Sequence, residues 1–360
     1  MELVLNEQQA LLAESAIRLA AARGGPRRAR ALRAAHHDMD AEAWRAVIDA
    51  GWLATVVDEP QGGAGLGLFD LALALEQTGK QILMVPLAEA AAAAWVLAKS
   101  RRAPSVLADL LAGTRLIVPA TRAASWGYGD ADLRHDPGAN ALDGAMSFVP
   151  FAPSADVFLV ATDAIVGLVD RTAAGVAVET KAQVDGATAS TVSFAGAAPA
   201  QVLALGAAAQ ALTSGLHEFL ALAAGAELLG LAAGTQEITL DHIKLRQQFG
   251  RPIGSFQVLQ HRAVDGFIDV ELNRSLLYRV LAAFDAGEHH PAMASAVKAR
   301  TSCAALAATR AALQMHGAVG YTDTHNIGLY YKRALALAAR YGGELDHTAR
   351  FSELTHAVSA

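Results

Sequence analysis

A single cysteine, Cys303, stands among 360 residues, so neither an intramolecular disulfide nor a cysteine-based zinc site can form. It sits in TSCAALAATRAAL, an apolar helical stretch, and is expected as a buried, inert thiol. Charge is scarce too: charged residues make up 18% of the chain, with 29 Lys plus Arg against 35 Asp plus Glu. A net charge of −6 lacks the basic excess of a nucleic-acid binder. The N-terminus, MELVLNEQQALLAES, has no positively charged region ahead of an apolar run and does not read as a signal peptide. The apolar stretches 87–98 and 219–233 are broken by charge or too short to span a bilayer. The expectation is a cytoplasmic chain with no nucleic-acid partner and no membrane insertion.

What the chain has is apolar residues, 53% of the total, much of it alanine, the strongest helix former. Residues 1–115 read as helical. In NEQQALLAESAIRLAAA (6–22), Leu12, Ala16, Leu19 and Ala20 share one helical face. A second helix is predicted over 41–50, then a loop at DEPQGGAGLG (58–67), then helical patterns through PSVLADLLAGT. From 116 to 205 short β-branched runs alternate with Gly, Asp, Pro and Ser, the pattern of a compact β domain. Asp143-Gly144 and Asp185-Gly186 are hairpin-type turn signals within it. From 206 to 360 the long-helix pattern returns, roughly 207–246, 256–286, 291–318 and 323–355, as an antiparallel four-helix bundle. The fold class is therefore mostly α with a central β domain.

Several motifs fail. The glycines of Gly62-Gly63-Ala64-Gly65-Leu66-Gly67 do not fit a dinucleotide fingerprint in any register, and they suit a tight loop between helices. His36-His37 and His289-His290 are adjacent pairs, and His217-Glu218 lacks a second histidine at metalloprotease spacing. No metal site emerges from spacing, and no G-x-S-x-G marks a serine hydrolase.

The informative segment runs from Arg246 to His261, RQQFGRPIGSFQVLQH. A long helix ends at Phe249-Gly250, and Pro252 delays the next. The turn presents Arg246, Arg251 and Gln257 near a helix start, where anions are favoured. Gln314-Met315-His316-Gly317-Ala318-Val319-Gly320-Tyr321-Thr322 is a second glycine-marked break after a helix.

Together these segments, R-x-x-F-G-x-P-I-x-x-F-Q-x-x-Q-H and Q-x-H-G-x-x-G-Y-T, resemble the acyl-CoA dehydrogenase family of flavoproteins. The resemblance covers nearly the whole chain and is strongest over 240–333. It implies that family's helical–β–helical fold and α,β-desaturation of an acyl-CoA thioester. A carboxylate base takes the α-proton and FAD accepts the β-hydride. It further implies that Arg246, Phe249, Phe256, Gln257, Gln314 and Gly317 contact FAD across a subunit interface, and that an electron-transfer flavoprotein or similar acceptor reoxidises it.

This sequence departs from the family at three places. The middle-domain flavin stretch reads Pro119-Ala120-Thr121-Arg122-Ala123-Ala124-Ser125-Trp126-Gly127, retaining Thr121. The aromatic–Thr pair reads Phe148-Val149-Pro150, without the hydroxyl. One branch carries its glutamate base between Tyr and Gly, where this chain reads Tyr341-Gly342-Gly343-Glu344. The other branch's glutamate falls at Leu220. Glu227 lies on one helix face with Leu220, Ala224 and Leu231. It reads either as a desolvated base or as a buried acid held by a basic or amide partner; Glu218, Glu344 and Asp346 read as solvated.

The truncated middle signature and the Ala226-Glu227-x-x-Gly230 helix resemble the small subunits of heteromeric acyl-CoA dehydrogenases acting on pimeloyl-type dicarboxylyl or steroid-derived acyl-CoAs. The expected assembly is a heterotetramer with a larger acyl-CoA dehydrogenase subunit, or a homo-oligomer. The alternatives are a non-catalytic partner that completes the FAD site, and flavin oxidation of a nitro- or amino-compound on the same fold.

Overall fold

Asn6 opens the first helix with a reciprocal cap: its Oδ1 accepts from the Gln9 amide at 2.8 Å, and Gln9 Oε1 accepts from the Asn6 amide at 3.1 Å. The computed structural model describes residues 5–121 and 133–356. Helix α1 (Glu7–Arg23) buries Ala16 and Ala20, with Leu12 and Leu19 half-buried beside them, as the spacing predicts. Next comes α2 (Pro26–Ala34), absent from the sequence reading because PRRARALRA carries charge where a periodic apolar face would show. Asp40 caps α3 (Ala41–Asp49) by accepting from the Ala43 amide at 3.0 Å. The run 58–67 forms the expected loop, folded back so that the Gly65 amide reaches Val57 O at 3.0 Å. Helices α4 (Leu68–Lys80), α5 (Leu87–Ser100) and α6 (Pro104–Leu111) complete the N-terminal helical part.

Strands follow: β1 (Ile117–Thr121), β2 (Arg134–Asp136), β3 (Ala141–Pro150), β4 (Val157–Ala161), β5 (Ile165–Asp170), β6 (Val176–Ala182), β7 (Thr188–Ala197) and β8 (Gln201–Leu205). They form two four-stranded sheets, ordered β1-β4-β5-β8 and β2-β3-β7-β6. Among the described residues only the β1–β4 pairing is parallel within them. Asp185-Gly186 makes the β6–β7 turn, closed by the Gln183 amide on Ala187 O at 2.8 Å. Asp143-Gly144 does not turn the chain. It lies inside β3 at a register shift against β7, where Asp143 Oδ1 accepts the Gly196 amide at 2.8 Å; the pair serves as a bulge. Residues 122–127 of the middle-domain stretch lie outside the described residues.

The C-terminal helices are α7 (Ala207–Leu245), α8 (Gln257–Asp285), α9 (Pro291–His316), α10 (Ile327–Ala339) and α11 (Glu344–His356). The expected fourth helix, 323–355, is split in two. Tyr341 (φ 60) and Gly342 (φ 100) take left-handed backbone that an α-helix cannot accommodate. Lys298, wholly buried in α9, holds this break by donating to Ala338 O and Gly342 O, both at 2.9 Å, and to Ser302 Oγ at 3.1 Å.

Helix α7 is the axis. By length and composition it could cross a membrane, yet 89% of its most apolar window is buried inside the fold. It packs against α4, α8, α9 and α10. Where α4 crosses it, backbone touches backbone: a Cβ on Gly230 would lie 1.8 Å from Glu76 O, and one on Gly79 would lie 1.9 Å from Glu227 O. Cys303 is half-buried rather than enclosed.

Gly230→Ala forces these helices apart. It is expected to destabilise the chain by roughly 1–3 kcal/mol, the range for an overpacked core, read as a lower urea midpoint at unchanged m value.

Candidate functional site

Two regions gather the candidate residues. The first is the end of the bundle where α7 and α9 finish side by side: the His242 ring in the last turn of α7 stacks on His316, the last residue of α9, with centroids 4.1 Å apart. Arg246 follows α7, and its carbonyl accepts the Ile253 amide at 2.8 Å, closing the turn. At its tip Phe249 takes φ 54 and Gly250 φ 75. Phe249 is 90% exposed and meets the half-buried Phe256 edge-on, at 6.1 Å between centroids. The Arg251 guanidinium covers the Phe256 ring at 4.2 Å. Gln257 begins α8, Gln314 sits on the last turn of α9, and Gly317 turns the chain with φ 68.

The structure thus brings the two motif corners to one end of the molecule. Arg246, Gln257, Gln314 and Gly317 are all exposed. Among the described residues the side chains of Arg246, Gln257 and Gln314 have no hydrogen-bond or ion-pair partner. Thr121 is elsewhere: it is buried in β1, with its hydroxyl 2.7 Å from His217 Nε2.

The second region is a cavity of about 260 Å³ between the sheets and α10, lined by Phe148, Pro150, Gln183, Thr188, Ala189, Ala336, Ala339 and Arg340. None of these is a carboxylate. Behind it lies a buried charge network. The Arg340 guanidinium donates to Glu89 Oε1 at 3.1 Å, and the Tyr341 hydroxyl donates to the same oxygen at 2.6 Å. Arg333 donates to Asp185 at 3.0 Å and lies 3.8 Å from Glu227. Thr78 Oγ1 donates to Glu227 Oε1 at 3.3 Å.

Glu227 is therefore on the apolar face expected of it, 2% exposed, but its neighbours are Thr78 and Arg333 rather than the cavity. Burial raises its pKa, opposed by Arg333 and Arg340. Three acids, Glu89, Asp185 and Glu227, thus gather around the two guanidiniums of Arg333 and Arg340. Sequence reasoning missed Glu89, Arg333, Arg340 and Tyr341. The only cue was the Tyr341-Gly342 departure next to Arg340.

Glu218 is not solvated as expected: it is buried in α7, with Oε2 3.7 Å from His289 Nδ1. Glu344 is exposed, while Asp346 is half-buried and accepts the Gly343 amide at 2.8 Å.

Comparison with known proteins finds the acyl-CoA dehydrogenase N-terminal domain over residues 6–100 and the acyl-CoA dehydrogenase C-terminal domain over 211–345. The chain is 30% identical to acyl-CoA dehydrogenase FadE27 of Mycobacterium tuberculosis over 84% of its length and 85% of that protein. Among solved structures, a variant of the Tcur3481–Tcur3483 steroid ACAD superposes with a TM-score of 0.90 at 27% identity, covering 98% of this chain and 99% of that one. The ChsE4–ChsE5 complex from Mycobacterium tuberculosis gives 0.88 at 27% identity, with 98% of both chains covered.

Burial pushes the Glu218 carboxyl up to about 7, against the pull of Arg350. Between its unfolded value and that point the native state holds a proton the unfolded chain has released, so stability from this group falls as pH rises through the window. Glu218→Gln is expected to gain on the parent chain between about pH 5 and about pH 7.5 in urea melts.

Proposed function

The chain belongs to the acyl-CoA dehydrogenase family of flavin-dependent oxidoreductases, and from that premise we propose that it is one subunit of an oligomer that desaturates an acyl-CoA thioester. In this reading the chain grips the pyrophosphate end of FAD, and a neighbouring, larger subunit supplies the catalytic base. The observation that carries it is the bundle-end corner: a guanidinium and two amides, exposed and without a protein partner among the described residues, beside two glycine turns where a phosphate can take the place of water as acceptor.

The donor set fits a pyrophosphate, since Arg246 can form paired charge-assisted bonds and Gln257 stands at a helix start. Thr121 fits less well, its hydroxyl being engaged with His217. FAD, when bound, supplies a hydride acceptor for the β-carbon. The chain's own residues bind and orient. Arg340, held by Glu89, presents a fixed positive charge to the cavity, where it would favour an enolate-like charge. Among the described residues no carboxylate lines that cavity, which supports a base from elsewhere. We assign Glu227 the role of a buried strut between α4, α7 and α10.

The partner surface continues from the same corner. On α8, Val258, Val264, Phe267, Ile268 and Leu272 are exposed along one broad face, with Leu245, Phe249 and Tyr321 exposed nearby. So apolar a stripe on a chain of this kind reads as a subunit interface. The steroid enzyme and two-chain complex among its structural neighbours support a steroid-derived acyl group and a heteromeric assembly. The reading divides the chain into domains at 1–115, 116–205 and 206–360.

Co-purified with its larger partner, the protein is expected to be yellow and to reduce an electron acceptor with an acyl-CoA. Arg246→Ala with Gln314→Ala should lower flavin retention about tenfold or more, the scale of two lost charge-assisted or amide contacts; undiminished flavin content would sink the assignment. Glu227→Gln should leave turnover of the complex within about twofold, well short of the loss expected on removing a general base. A loss of a hundredfold or more would make Glu227 the base.

A further inference from the structure

Three histidines that no spacing rule joins meet where α7 and α9 end. His242 comes from α7, His316 from α9, and His325 from the segment leading into α10, and one nitrogen of each lies within 4.8 Å of the others. We propose that His242, His316 and His325 bind a divalent transition metal ion of the zinc class, which pins the ends of α7 and α9 to the 322–326 segment. This goes beyond the flavin reading and uses none of its donors.

His316 makes the strongest case. It is 6% exposed, and its Nδ1 lies 2.8 Å from Ala312 O. A carbonyl can only accept, so Nδ1 carries the proton and Nε2 presents a lone pair. That Nε2 is buried without a hydrogen-bond partner, although a buried acceptor ordinarily has one. A backbone carbonyl fixing the far nitrogen is also the usual second shell of a metal-bound imidazole.

The other two rings complete an imidazole set suited to zinc, cobalt, nickel or copper. His325 is on a restrained segment: Arg30 donates to the carbonyls of Asp323 and His325, both at 3.1 Å, and to Asn326 Oδ1 at 2.9 Å.

Coordination asks two adjustments. The His242 and His316 rings, stacked at 4.1 Å and 25°, must fan about their side-chain torsions so that their lone pairs converge. His325 Nδ1 accepts the Ile327 amide at 3.2 Å with its single lone pair, so that bond must break before either ring nitrogen can bind the ion. The guanidinium of Arg30, bonded to the His325 carbonyl, and the charge of Arg246 just after α7 work against cation binding here. A water fills the fourth position, as in other three-histidine sites.

The test uses the purified full chain, stripped with a chelator and titrated with Co2+ and then Zn2+, followed by calorimetry and the cobalt visible bands. One equivalent of Co2+ should bind, gain tetrahedral-type absorption and be displaced by Zn2+. His242→Gln and His325→Gln, the two less buried positions, should each weaken binding about tenfold or more. The double variant His289→Gln/His290→Gln should bind as the parent does. Absence of a saturable equivalent, indifference to both single changes, or loss of binding in the His289/His290 variant would each overturn the site. The readout needs no flavin, so the outcome is independent of the flavin assignment.

Discussion

Backbone contact between α4 and α7 sets the geometry of everything around it. Gly79 and Gly230 let the two helices approach until each lies against the other's carbonyl, at Glu227 and Glu76. Those same two residues carry acids, and the close crossing buries both side chains. Isolated buried charges are costly, so each needs a partner from a further helix. Arg274 of α8 reaches Glu76 at 3.4 Å, and Arg333 of α10 lies 3.8 Å from Glu227. The bundle is thus tied together by ion pairs that exist because two glycines bring the helices so near.

The network behind the cavity extends the same logic. Glu89 on α5 takes Arg340 and Tyr341, and Asp185 at the β6–β7 turn takes Arg333. Helices from both ends of the sequence and the sheet domain are thereby held at one junction. Its side chains are mutually satisfied, whereas the donors at the bundle end are bare. The buried guanidiniums of Arg333 and Arg340 meet carboxylates, while Arg246, Gln257 and Gln314 stand exposed at the end of the bundle.

Much of the layout could be read directly. Alanine content and long apolar periods declared α7, α8 and α9, and β-branched runs declared the sheets. The errors have physical causes. Helix α2 hid behind its arginines, and Asp143-Gly144 has the composition of a turn but the pairing of a bulge. The split between α10 and α11 depends on left-handed backbone at Tyr341, which residue type does not announce. Among site residues, the motif corners were legible because their turn chemistry is local. Arg340, Glu89 and the three clustered histidines were not, since only the tertiary fold makes them neighbours. Glu218 looked like a surface acid because its helix is apolar all round, and such a helix has no outer face.

The break after α10 also constrains how this chain can change. Gly342 occupies the place where part of the family carries its glutamate, and here it adopts φ 100 with its carbonyl clamped by Lys298. A side chain at that position would be strained, and an acid there would first need the clamp and the turn rebuilt. A glutamate introduced at position 342 would work against the backbone conformation that the Lys298 contact holds in place.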